Sequence, residues 1–189
     1  MSLIKNIKLK IANKLLTAEF KARQKQREAI KFNFNKIKTV GILFDATNTA
    51  DYELVKQYVV YLREHSKKVK VLGCFNTKVI HALTYSKLEY NFFSSKEVNW
   101  LYKPTNVVAS NFINEEFDLL IDLNVKDHFS LKYIASLSKA KFKVGKYIEN
   151  EIDIYDMMID ADNTQTLKYF LRQVDTYITM LNRVEPTLN

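Results

Sequence analysis

Two carboxylates stand where chemistry could be done. Asp45 follows the apolar run 39–44 (TVGILF), and Asp122 lies inside the run 117–123 (FDLLIDL). Runs of this kind are typical of strands buried on both faces. In an open α/β sheet, ligands bind outside the carboxyl ends of such strands. The polar residues expected there are Asp45, Thr47, Asn48, Asn76, Thr77, Asp122, Asn124 and Lys146. Acids on neighbouring strand ends could hold a divalent cation or divide the roles of general acid and base. Asp45 and Asp122 are therefore the catalytic candidates. Asp45, Thr47, Asn48, Asn76, Asp122 and Asn124 form the candidate ligand crevice. The competing account is structural, because Asp and Asn at strand ends close turns and cap helices.

The other reactive side chains offer less. His65, His81 and His128 are scattered, with no pair at helical ligand spacing, so a zinc set is not expected. His128 precedes a helical pattern and is expected beside its cap. Cys74, the single cysteine, sits in an apolar run and is expected to be a buried, inert thiol. Neither G-x-G-x-x-G nor G-x-x-x-x-G-K-[ST] occurs. Gly41, Gly73 and Gly145 all fall inside strand patterns. The turn DATNTADYE after the first strand places acids where a phosphate would sit, and they complement the helix dipole themselves. No nucleotide cofactor, and no cofactor of any other kind, is expected.

Charge carries the stronger signal. The chain has 189 residues and a net charge of +8. Residues 1–38 hold eleven Lys or Arg against Glu19 and Glu28, a charge of +9. The remainder holds 18 basic and 19 acidic residues. A near-neutral body thus carries a basic arm, an asymmetry that points to a polyanionic partner. Ile4, Ile7, Ile11, Leu15, Ala18 and Ala22 form one helical stripe, and Leu9, Leu16 and Phe20 a second on the opposite side. An interfacial membrane helix has one apolar face and one basic face. Two stripes fit better with a helix held between protein or RNA surfaces. The segment 21–27 (KARQKQR) reads as a solvated or RNA-facing turn.

The elements that position these residues follow from periodicity. Strands are expected at 39–44, 69–75, 88–93, 117–123, 141–147 and 154–159. Helices are expected from a cap at Asn48 or Thr49 to near Ser66–Lys68, from the cap at Ser94 or Ser95 through Val98, Trp100 and Leu101, over 107–113, over 128–140, and from Leu167 to Leu181. Residues 78–87 are ambiguous. Trp100, Tyr90, Phe92 and Phe93 are expected in the core, with 100–104 (WLYKP) as the alternative of an exposed binding loop. Strands alternating with helices imply a mostly parallel sheet. The fold class is α/β: one three-layer Rossmann-like domain over 39–189, preceded by a basic helical arm over 1–38. With no signal peptide, no apolar stretch long enough for a membrane span and one cysteine, a cytoplasmic location is expected.

The stretches FDLLIDLN and HFSLKYIASLSKAKFKVG, within 117–145, resemble part of the glycosyltransferase-B fold of the heptosyltransferase type. There a strand ending in Asp is followed by a helix and a strand ending in Gly, here Asp122 and Gly145. The whole body, through GILFDATN, KKVKVLGCFN, NWLYKPT, NFINEEFDLLIDLN and LSKAKFKVG, resembles a family of short cytosolic Bacteroidota proteins that brings no activity with it. A glycosyltransferase places its substrates between two such domains, and this chain has room for one. The resemblance implies a domain that has become a binding module.

The resulting expectation is a non-enzymatic adaptor whose arm contacts RNA on the ribosome. Lys5, Lys8, Lys10, Lys14, Lys21, Arg23, Lys25 and Arg27 would neutralise phosphates, and the body would dock protein partners. Two alternatives stand beside it: a degenerate glycosyltransferase-like transferase using Asp45 and Asp122, and a peripheral protein held on an acidic membrane by residues 1–20.

Overall fold

The computed structural model of the chain describes residues 2–24, 32–76, 90–148, 154–161 and 166–181. The elements run α1 (Ser2–Gln24), β1 (Thr39–Asp45), α2 (Thr49–Glu64), β2 (Lys68–Phe75), β3 (Tyr90–Ser94), α3 (Val107–Asn114), β4 (Leu119–Asp122), α4 (Phe129–Leu137), β5 (Phe142–Lys146), β6 (Met157–Ile159) and α5 (Leu167–Met180). The six strands form one parallel sheet in the order β3-β2-β1-β4-β5-β6. This is the doubly wound, Rossmann-like order, with the direction of winding reversing between β1 and β4.

Alternation along the strands sends side chains to two cores. Val40, Ile42, Phe44, Val71 and Ile121 pack under α2 and α5, through Val55, Val59, Leu62, Phe170, Val174 and Ile178. Leu43, Leu72, Cys74 and Leu120 pack on the other side under α3 and α4, through Phe112, Ile113, Leu131 and Ile134. Gly41 leaves room for two rings: a Cβ there would come 2.8 Å from Phe117 and 3.1 Å from Phe112. Phe34 and Ile37, just before β1, join the first core. The buried Lys67 ammonium grips their carbonyls at 2.6 and 2.9 Å.

Two local readings are corrected. Helix α1 continues to Gln24, so residues 21–24 of the expected turn are helical, and 25–27 lie outside the described residues. No helix carries Val98, Trp100 and Leu101. Ser94 and Glu97 close a capping box around one 3₁₀ turn, Ser95–Glu97. The Asn99 side chain then accepts from the amides of Leu101 and Lys103 at 2.9 and 3.0 Å. That local competition diverts the backbone from a helix. Val98 bridges Pro104 instead, and Trp100 is exposed rather than in the core. Tyr90 and Phe93 are buried as expected. The ambiguous stretch 78–87 and His81 lie outside the described residues.

Helix α1 lies on α4. The Tyr133 hydroxyl donates to Glu19 at 2.6 Å, and the Arg23 guanidinium donates to the Leu137 carbonyl at 2.8 Å. Both pairs sit at the same sequence offset, so the two helices run parallel. Ala12, Leu16 and Phe20 are buried in the contact. Arg23 and the buried Lys143, which donates to the carbonyls of Ala135 and Ser136, satisfy the last carbonyls of α4. Cations at that end also complement the helix dipole.

Candidate functional site

The strand-end residues separate into two clusters. At the end of β1, Asp45 accepts from the Thr47 amide at 2.9 Å and from the Asn76 side chain at 3.1 Å. Thr47 accepts from the Asn76 amide at 3.0 Å. Asn48 caps α2, accepting from the Ala50 amide at 2.8 Å. These contacts stitch two loops together, as Asx and ST turns do. Thr77 lies outside the described residues. Nearby, burial pushes the Asp51 carboxyl up, the Asp45 charge adds to this, and Lys126 opposes it.

At the end of β4, Asp122 is buried. Its Oδ2 accepts from the Tyr155 hydroxyl at 2.6 Å, and its Oδ1 accepts from both the amide and the side chain of Asn124. Burial raises the Asp122 carboxyl above its ordinary range, against the opposing pull of Tyr155 and Asn124. Asp45 and Asp122 hold different partners and share no hydrogen bond. An adjoining cavity of about 30 Å³ is lined by Asn124, His128, Lys132, Lys146 and Tyr155 among others. That is space for water rather than for a nucleotide sugar. His128 stands at the N-cap of α4 without a side-chain cap bond, and both of its ring nitrogens are buried with no hydrogen-bond partner among the described residues. Lys146 donates to the Val125 carbonyl at 2.9 Å. Among the described residues, no group of three His, Cys, Asp or Glu could hold a metal ion. The Cys74 thiol is buried, and burial pushes it far up from its ordinary range. The crevice residues thus act mainly on one another.

The arm presents the larger open surface. One of its two apolar stripes, Leu9, Leu16 and Phe20 together with Ala12, faces α4, where Leu9 is half-buried and the other three are buried. The other stripe is left outside: Leu3, Ile4, Ile7, Ile11 and Leu15 are 42–74% exposed. Ala18 and Ala22 continue it, also exposed. Lys10, Lys14 and Lys21 run along one border of this stripe and Lys8 along the other. Of the eight cations assigned to phosphates, Lys5, Lys10, Lys14 and Lys21 are exposed and Lys8 is half-buried. Arg23 is engaged with α4, and Lys25 and Arg27 lie outside the described residues. Burial raises the Glu19 carboxyl, but the hydrogen bonds from Tyr133 and Lys103 outweigh that and hold it below its ordinary range. Sequence periodicity found both stripes; it could not say which had a partner.

No helix among the described residues is long and apolar enough to cross a membrane. No curated protein and no solved structure matches the chain significantly. A family model matches residues 8–181, and the chain belongs to that family, described as a family of unknown function (DUF6913).

Proposed function

We propose that the protein is a non-enzymatic docking module that rests on an anionic membrane surface through the outer face of α1. The observation that carries this is the run of Leu3, Ile4, Ile7, Ile11 and Leu15, all exposed on one side of a helix and bordered by lysines. In sequence, a second apolar stripe sets α1 apart from an interfacial helix. That stripe packs on α4, so the face left for a partner has one apolar strip flanked by cations, which is the interfacial pattern. Lysines near an anionic leaflet contribute about 1 kcal/mol each. An RNA-facing helix would place cations and polar groups outward and would gain little from five aliphatic side chains.

The test is sedimentation of the full chain with three targets: neutral phosphatidylcholine vesicles, the same vesicles with phosphatidylglycerol, and ribosomes at low and high salt. Pelleting with the anionic vesicles alone is expected, with loss on the double change Ile4→Asp, Ile11→Asp. Both side chains are exposed, so the melting temperature should hold. Absence from the vesicle pellet would overturn the reading. Pelleting with ribosomes instead, released by salt, would return the arm to RNA. About six phosphate contacts predict a roughly thousandfold loss of affinity between about 50 and 200 mM salt.

A further inference from the structure

We infer that Trp100 is a second membrane anchor, presented at the same end of the molecule as the projecting half of α1. This rests on the docking reading above and adds the element that fixes which end of the fold faces the lipid.

In a parallel sheet, every loop that follows a strand lies at the carboxyl edge. The segment between β3 and α3, which holds Trp100, lies there, and so does the start of α4. Helix α1 runs parallel to α4, so its N-terminus points past the same edge. At the offset set by Glu19–Tyr133 and Arg23–Leu137, Leu15 is level with Phe129, the first residue of α4. The thirteen residues before Leu15 extend roughly 20 Å further. None of the side chains from Leu3 to Ile11 is buried.

The loop is held firmly. Glu97 accepts from the Ser94 amide and from the Asn106 side chain, each at 2.9 Å. The amides of Thr105 and Asn99 donate to the carbonyls of Glu97 and Lys103, each at 2.9 Å. Tyr102 takes a left-handed backbone, φ 60°, a conformation that a bulky side chain adopts only when its surroundings impose it. The Tyr102 carbonyl accepts from the Ser130 hydroxyl of α4 at 2.7 Å, and Lys103 pairs with Glu19 of α1 at 3.1 Å. The loop is thus tied to both helices.

At its tip the Trp100 side chain is 62% exposed, and Val107 at the start of α3 is 72% exposed. Lys96, in the 3₁₀ turn of the same segment, is exposed. A rigid, exposed indole in a segment that also exposes an aliphatic side chain and a lysine suits the headgroup level of an anionic bilayer, where tryptophan concentrates because its ring is apolar and its N–H polar.

Trp100 is the only tryptophan in the chain, so its own fluorescence reads the site. The full chain is mixed with phosphatidylcholine–phosphatidylglycerol vesicles, with and without brominated acyl chains, and the same samples are sedimented. A blue-shifted emission that brominated lipid quenches supports the inference. So does a loss of vesicle affinity of about tenfold in Trp100→Ala at unchanged melting temperature. Protein that pellets with vesicles while its emission stays unshifted and unquenched overturns the Trp100 anchor and leaves docking through α1 intact. Protein that never pellets overturns both.

Discussion

The Tyr133 hydroxyl donates to the Glu19 carboxylate at 2.6 Å, and with this bond a helix that could have hung free becomes a layer of the fold. Beneath it Leu16 and Phe20 are buried, and beside it Lys103 pairs with the same carboxylate. The packing makes one stripe of α1 part of the body and leaves the other as its outer surface. Removing Phe20 should therefore loosen the whole helix. Phe20→Ala is expected to cost about 3 kcal/mol and to lower the melting temperature by roughly 10 °C in a chain of this size. It should also open α1 to protease, read by limited digestion and mass spectrometry.

Asp118 should set part of the response to acid. It accepts from the amides of Lys38 and Thr39 at 2.8 and 3.1 Å and from the Lys141 ammonium at 2.9 Å, pinning the start of β1. Burial works against its ionisation, but these donors prevail and hold the carboxyl at about 2. A carboxyl depressed in the fold adds stability above its unfolded value near 4, and that stability is lost as the pH falls toward 2. The contribution is about 1 kcal/mol, discounted because solvent reaches the pair. Urea melts between pH 5 and 2 should show that loss, and Asp118→Asn should remove it. An unchanged slope in the variant would disprove the assignment.

Gly145 and Tyr155 should behave as one unit. A methyl group on Gly145 would clash with the Tyr155 ring, coming 2.5 Å from Cε1 and 2.7 Å from Cδ1, and that ring delivers the hydroxyl to buried Asp122. Gly145→Ala is expected to cost about 1–3 kcal/mol by overpacking. Tyr155→Ala should cost a similar amount or more, because Asp122 loses a donor. The double variant should cost clearly less than the two combined, since the clash vanishes with the ring. Denaturant titration of the four proteins closes the cycle; strict additivity would mean the two do not interact.

Cys74 should stay silent in the native state. Its thiol is buried and carries a strongly raised pKa, so little thiolate is available near neutral pH. Labelling with a thiol-reactive dye should proceed only at the rate of global opening and become fast in denaturant. Immediate stoichiometric labelling of the folded protein would show that the strand opens locally.

Much of the fold was legible because buried parallel strands leave a local trace. Runs such as TVGILF and FDLLIDL are apolar on both faces, and the 167–178 stripe repeats at three and four. Local rules also offered Asn48 or Thr49 as the cap of α2, and the fold takes Asn48. They failed at Trp100, where a cap at Ser94 looked like the start of a helix, because the outcome depended on Asn99 taking two backbone amides. The crevice was half legible: Asp45, Asn76, Asp122 and Asn124 follow from their places at strand ends, but Tyr155, which donates to Asp122, comes from a distant segment that periodicity does not connect.

Residue type and a period of 3.6 suffice to make α1 a basic helix with two apolar stripes. Which stripe is covered depends on the assembled fold. Burial needs a partner surface, and that surface, on α4, exists only once the sheet has brought residues 129–137 beside residues 12–23.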